Sequence, residues 1–140
     1  MIKLKSIIQE INNIKMKKTY CAVLLSKESK YKLYTEFKQY IPDGWETIIH
    51  HITIDPFKTL PVDSELLGKQ QIVLVTHIGI SDKAIAVKVT GLDIKTNNKF
   101  PHITLAVNRN GGGKPKHSND ITKWTELDTK IYIKGTIENI

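Results

Sequence analysis

A single cysteine, Cys21, stands in 140 residues, so the chain can form no internal disulfide and offers no multi-cysteine zinc set. That usage suits a reducing compartment. Cys21 lies in the apolar run Tyr20-Cys21-Ala22-Val23-Leu24-Leu25, where it reads as a small buried hydrophobe. Long hydrophobic runs are missing too: the longest are five or six residues, against the roughly 20 that span a bilayer. The N-terminus Met1-Ile2-Lys3-Leu4-Lys5 alternates charged and apolar residues, with no stretch of signal-peptide length. The expectation is a soluble cytoplasmic protein without a membrane partner. Arginine is nearly absent: Arg109 is the only one among 21 basic residues, while 21 positions are isoleucine. An AT-biased genome writes such a chain without functional pressure. The formal charge of +7 is therefore read equally as codon bias and as preference for an anionic partner.

What is present suits an ordinary globular chain, 40% hydrophobic and 25% charged, and its length fits one domain over residues 1–140. Ile7, Ile8, Ile11 and Ile14 recur at helical spacing, which predicts an amphipathic helix over 2–15, within an N-terminal segment 1–15. Residues 20–25 read as a buried strand. Ser26 or Ser29 caps the next helix, in which Leu33, Phe37 and Tyr40 share a face, and Pro42-Asp43-Gly44 ends it. Strands are expected over 47–54, 70–78, 84–90, 102–107 and 130–138, a loop over 56–68, and a short helix from Ser118 to Asp120. This is a small α+β domain on a mostly antiparallel sheet, with two or three helices.

One internal echo carries chemistry. His51-Ile52-Thr53-Ile54 and His102-Ile103-Thr104-Leu105 are near copies, 51 residues apart, each on an expected strand. Alternation places each His and Thr on one face and the two aliphatic residues on the other. If the aliphatic faces are buried, two such strands side by side set two imidazoles and two hydroxyls around one small volume. One neutral imidazole can take a proton from a nucleophilic hydroxyl or water, and a protonated one can deliver a proton to the leaving oxygen. Threonine hydroxyls can donate to phosphoryl oxygens as charge builds there. That chemistry needs no metal and no cofactor.

With these two motifs the sequence resembles the 2H phosphoesterase superfamily, over roughly residue 20 to the end. The flanking phrases Gly44-Trp45-Glu46…His50-His51-Ile52-Thr53 and Pro101-His102-Ile103-Thr104…Asn108 are similar to compact phage anti-CBASS nucleases, which degrade the cyclic di- and trinucleotide signals of bacterial defence. The resemblance implies a compact bilobal α+β fold around a central cleft. It also implies a metal-independent hydrolase of phosphoric diesters, with His51, Thr53, His102 and Thr104 as the catalytic set, acting in the host cytoplasm if phage-encoded. The substrate implied is a cyclic oligonucleotide or small RNA, not duplex DNA. An RNA-end-repair enzyme acting on 2′,3′-cyclic phosphates or 2′,5′-linkages is the alternative within the class. A non-catalytic nucleotide- or RNA-binding module is the alternative outside it.

The remaining candidates concern binding. Asn108-Arg109-Asn110-Gly111-Gly112-Gly113-Lys114-Pro115-Lys116 follows the second motif directly and reads either as a flexible substrate loop or as a solvated one. In the first case Arg109 and Lys114, with Lys116, supply positive charge. It lacks the Gly-Lys-Ser/Thr ending of a P-loop. Tyr20, Trp45 and Trp124 are candidates for base stacking, Tyr20 first among them, and Glu126 for accepting from a base amino group. His50, next to His51, is expected on the opposite face as a packed or supporting histidine. His77 is expected to be structural or exposed, and His117 to sit in the loop. None has metal-ligand spacing.

Overall fold

Aliphatic residues recurring two apart write most of this fold. The computed structural model describes residues 20–55, 65–96 and 98–140. Its strands are β1 (Cys21–Leu25), β2 (Glu46–Thr47), β3 (His51–Asp55), β4 (Gln70–Ile80), β5 (Ala84–Thr90), β6 (His102–Val107) and β7 (Trp124–Asn139). Every pairing is antiparallel. The order is β2-β6-β3-β1-β7-β4-β5, and β5 pairs again with β6, closing six strands into a barrel. Closure leaves those strands no free edge and encloses one core. Val23, Ile52, Ile103, Val87, Val75 and Ile133, one from each barrel strand, are buried in that core. The architecture is α+β and mostly antiparallel, as the alternation predicts.

Among the described residues, one α-helix, α1 (Lys27–Phe37), packs on the barrel. Ser26 caps it, its hydroxyl accepting from the Ser29 N–H at 3.2 Å. Leu33 and Phe37, four apart, turn into the core. Tyr40 does not follow them: the chain tightens into a 3-10 turn over Lys38–Tyr40 and leaves that ring exposed. Cys21 is buried, and the Asp55 carboxylate adds to burial in holding its thiol above the ordinary range.

Three expectations shift. The strand over 47–54 is two strands, interrupted at Ile48–His50, where Ile49 takes φ +40°. The last strand starts at Trp124 rather than 130, because the ladder with β4 carries the polar stretch along, pairing Gly79 with Trp124 and His77 with Glu126. Tertiary pairing overrides local polarity there. The short helix from Ser118 is instead a 3-10 segment over Pro115–Asp120. The helix expected over 2–15 and residues 56–64 of the expected loop lie outside the described residues. Among the described residues, no helix is long and apolar enough to cross a membrane.

Candidate active site

The two His-x-Thr strands are neighbours. β3 and β6 meet at one Cα pair, Ile52 with Ile103, and both isoleucines are buried in the core. Residues on either side of that pair therefore turn to the opposite face. Because the strands are antiparallel, His51 comes across from Thr104, and Thr53 across from His102. All four side chains line one cleft of about 270 Å³, just under the usual range of ligand-site volumes. Beyond the single pair, the Thr53 carbonyl accepts from Asn98 Nδ2 at 3.2 Å and the Ile54 carbonyl from Thr96 Oγ1 at 2.8 Å. Asn98 thereby becomes part of the cleft wall.

His51 is held at both ring nitrogens. Its Nε2 lies 3.2 Å from the Tyr20 hydroxyl and 3.1 Å from Thr53 Oγ1, and its Nδ1 lies 3.0 Å from Nδ1 of His50. Burial pushes its pKa down from 6.5 to about 4, helped by the positive charge that His50 and His102 can carry. His102 is also lowered by burial, but a backbone contact opposes the shift. Its Nδ1–H donates to the Phe100 carbonyl at 3.0 Å, and a carbonyl can only accept. The His102 proton that comes and goes is therefore on Nε2.

The far wall is the 3-10 segment Pro115–Asp120. Ser118 is buried with its hydroxyl 2.8 Å from that of Thr104, which fastens the segment over β6. Lys116 from this segment is the cation among the described residues lining the cleft. Asn119 Nδ2 donates to the Lys116 carbonyl at 3.2 Å, and its Oδ1 is buried without a partner.

Five of the nine expected site residues are brought together: His51, Thr53, His102, Thr104 and Tyr20. Burial also raises the Tyr20 pKa, so its phenol stays protonated and able to donate. The other four lie elsewhere. Arg109 donates through Nε to Glu46 Oε2 at 2.6 Å, in an exposed ion pair beside β2. Lys114 caps the 3-10 segment just before Pro115, its backbone N–H donating to His117 Nδ1 at 2.9 Å, and its side chain is exposed outside the cleft. Trp124 packs against Gly79, where a Cβ would overlap the indole. Its Nε1–H donates to the Ile121 carbonyl at 3.0 Å, Phe100 meets it edge-on at 5.2 Å, and the Lys88 ammonium sits 4.6 Å from its ring. Glu126 is exposed, opposite His77 on the β4–β7 ladder.

The glycine-rich stretch is a fastened loop. The Gly113 N–H donates to the Asn108 carbonyl at 2.7 Å, and any Cβ there would collide with the Lys83 backbone. Gly111 and Gly113 serve close packing of the chain on itself, and Gly112 takes the left-handed backbone, φ +81°, that ends the turn. His50 is exposed and turned towards His51, not packed on the opposite face, because the break at Ile48–His50 interrupts the alternation. Of the three cations expected from the loop, Arg109, Lys114 and Lys116, it is Lys116 that reaches the cleft, in the 3-10 segment that opens at Pro115. Asn98 and Asn119 carry no sequence signal.

Compared with known proteins, the sequence matches no family model and no curated protein.

Proposed function

We propose that this protein is a phosphodiesterase of the 2H type that cleaves small nucleotide substrates by paired-histidine acid–base catalysis. The observation that carries the reading is the convergence of His51 and His102, each with its threonine, in one cleft on two paired strands. Groups whose environments push their pKa values apart divide into base and acid. His51, whose Nε2 is met by two hydroxyls while His50 partners its Nδ1, is the base. Its Nε2 takes the proton of an attacking hydroxyl, which closes on phosphorus. His102, its Nδ1–H braced on the Phe100 carbonyl, gives its Nε2 proton to the departing oxygen. With a free 2′-hydroxyl beside a 3′,5′-linkage, the products are a 2′,3′-cyclic phosphate and a 5′-hydroxyl. The anionic diester itself favours protonated His102, and Lys116 offsets charge on the non-bridging oxygens.

In this reading the barrel is a compact form of the two-lobed 2H fold, β3 coming from the first half of the chain and β6 from the second. The substrate favoured is a cyclic di- or trinucleotide, as the flanking motif phrases suggest. The test is chromatographic product analysis of purified protein in excess EDTA. The panel contains cyclic di- and trinucleotides, 2′,5′-oligoadenylate and RNA ending in a 2′,3′-cyclic phosphate. Cleavage of the cyclic oligonucleotides, lost in His51→Ala and His102→Ala, is expected. Cleavage of the RNA end alone moves the assignment to RNA repair, and binding without any product defeats the enzyme reading.

A further inference from the structure

We infer that His50 is a positioning residue that sets the tautomer of His51, accepting the His51 Nδ1–H and so keeping Nε2 free to act as a base. The inference rests on the phosphodiesterase reading for its consequence, but its geometry stands alone. Consecutive residues of a regular strand point to opposite faces, so neighbouring histidines do not ordinarily meet. Here the two Nδ1 atoms are 3.0 Å apart, with the rings edge to face at 84° and 5.2 Å between centroids.

The backbone is bent to achieve this. Ile49, β-branched and buried, sits at φ +40°, a conformation that costs on the order of 1–3 kcal/mol. The ladder on both sides holds it there. The Ile48 N–H donates to the Leu105 carbonyl at 2.8 Å, the Ile49 N–H to the Thr104 carbonyl at 3.1 Å, and the His50 carbonyl accepts from the Leu25 N–H at 3.1 Å. The bend thus ties the first motif to the second at the residue where His50 turns back.

Two Nδ1 atoms at that distance share one hydrogen. When it belongs to His51, His51 Nε2 is an acceptor, and the Tyr20 and Thr53 hydroxyls beside it are its donors until a substrate hydroxyl replaces one of them. As His51 gains the substrate proton, its Nδ1–H bond to neutral His50 strengthens and spreads the charge towards water, since His50 is exposed. Protonated His50 has no lone pair at Nδ1 and cannot serve. Partial desolvation of the otherwise exposed His50 ring and the Lys30 ammonium on α1 both oppose that protonation, and Tyr20 and His102 are the other titratable groups around the pair.

The test separates acceptor from bulk. His50→Phe keeps a ring without an acceptor, and His50→Asn keeps an acceptor without a ring. Imidazole ¹⁵N NMR of His51 is expected to show the Nδ1–H tautomer in wild type and His50→Asn, and a mixture in His50→Phe and His50→Ala. On the best substrate of the panel, Phe and Ala should lower kcat by about tenfold to hundredfold with KM within about twofold, while Asn stays within about threefold of wild type. An unchanged His51 tautomer in His50→Phe, or equal losses in Phe and Asn, overturns the inference. The tautomer readout needs no turnover: if it shifts while no substrate is cleaved, the pairing stands and the phosphodiesterase reading falls.

Discussion

β3 and β6 carry nearly the same tetrapeptide, yet they give its histidine two different environments. On β6 all six residues are buried and His102 is braced on a backbone carbonyl, which opposes the loss of its proton. On β3 burial alternates, the strand follows a bend, and His51 faces a second imidazole and two hydroxyls. One motif therefore yields a group held near pKa 4 and another lowered against a raising contact. Proton affinity belongs to surroundings, and two copies of a motif need not be two copies of a function.

The comparison breaks most sharply under alanine. His51→Ala and His102→Ala should each cost about a hundredfold to ten-thousandfold in kcat, with circular dichroism and melting temperature close to wild type. If only one of them loses activity, the pair is not an acid–base pair. Acid titration sharpens the difference between the strands. His51 is depressed from 6.5 to about 4, so the unfolded chain binds its proton first and stability falls as pH drops through that window, by about 3 kcal/mol in all. Urea denaturation at pH 7 and pH 4 measures this, and His51→Gln should remove most of the loss attributable to that residue.

The activity profile tests the same assignment. His51 must be neutral and His102 protonated, so kcat/KM should be bell-shaped, falling below about 4 and again above a point under 6.5. A profile still rising at pH 8 contradicts it. Charge placement gives smaller effects. Lys116→Met should raise KM by about tenfold, whereas Arg109→Met, which removes only an exposed ion pair with Glu46, should change KM by less than about twofold. The reverse order would move the binding role from Lys116 to Arg109.

Much of this was legible in the chain. Runs rich in aliphatic residues named strands in β1, β4, β5 and β6 with small errors, and the echo of His-x-Thr named four of the residues that meet in the cleft. Legibility failed where long-range pairing decides. Trp124 looks like a stacking residue until the β4–β7 ladder sets it on Gly79. Arg109 and Lys116 are seven positions apart in one loop, yet one pairs with Glu46 and the other faces the cleft, a choice made by the 3-10 turn at Pro115. His50 reads as a residue of the opposite face, and only the bend at Ile49 turns it to His51.

By itself, the order of residues determined an antiparallel α+β chain and two strands each presenting imidazole and hydroxyl on one side. Those properties follow from alternation, which is local. Closure of the barrel decided that the two strands lie side by side, which cation reaches the cleft, and how tightly each imidazole holds its proton. Those are properties of burial and of contacts between residues far apart in the chain, and no local pattern encodes them.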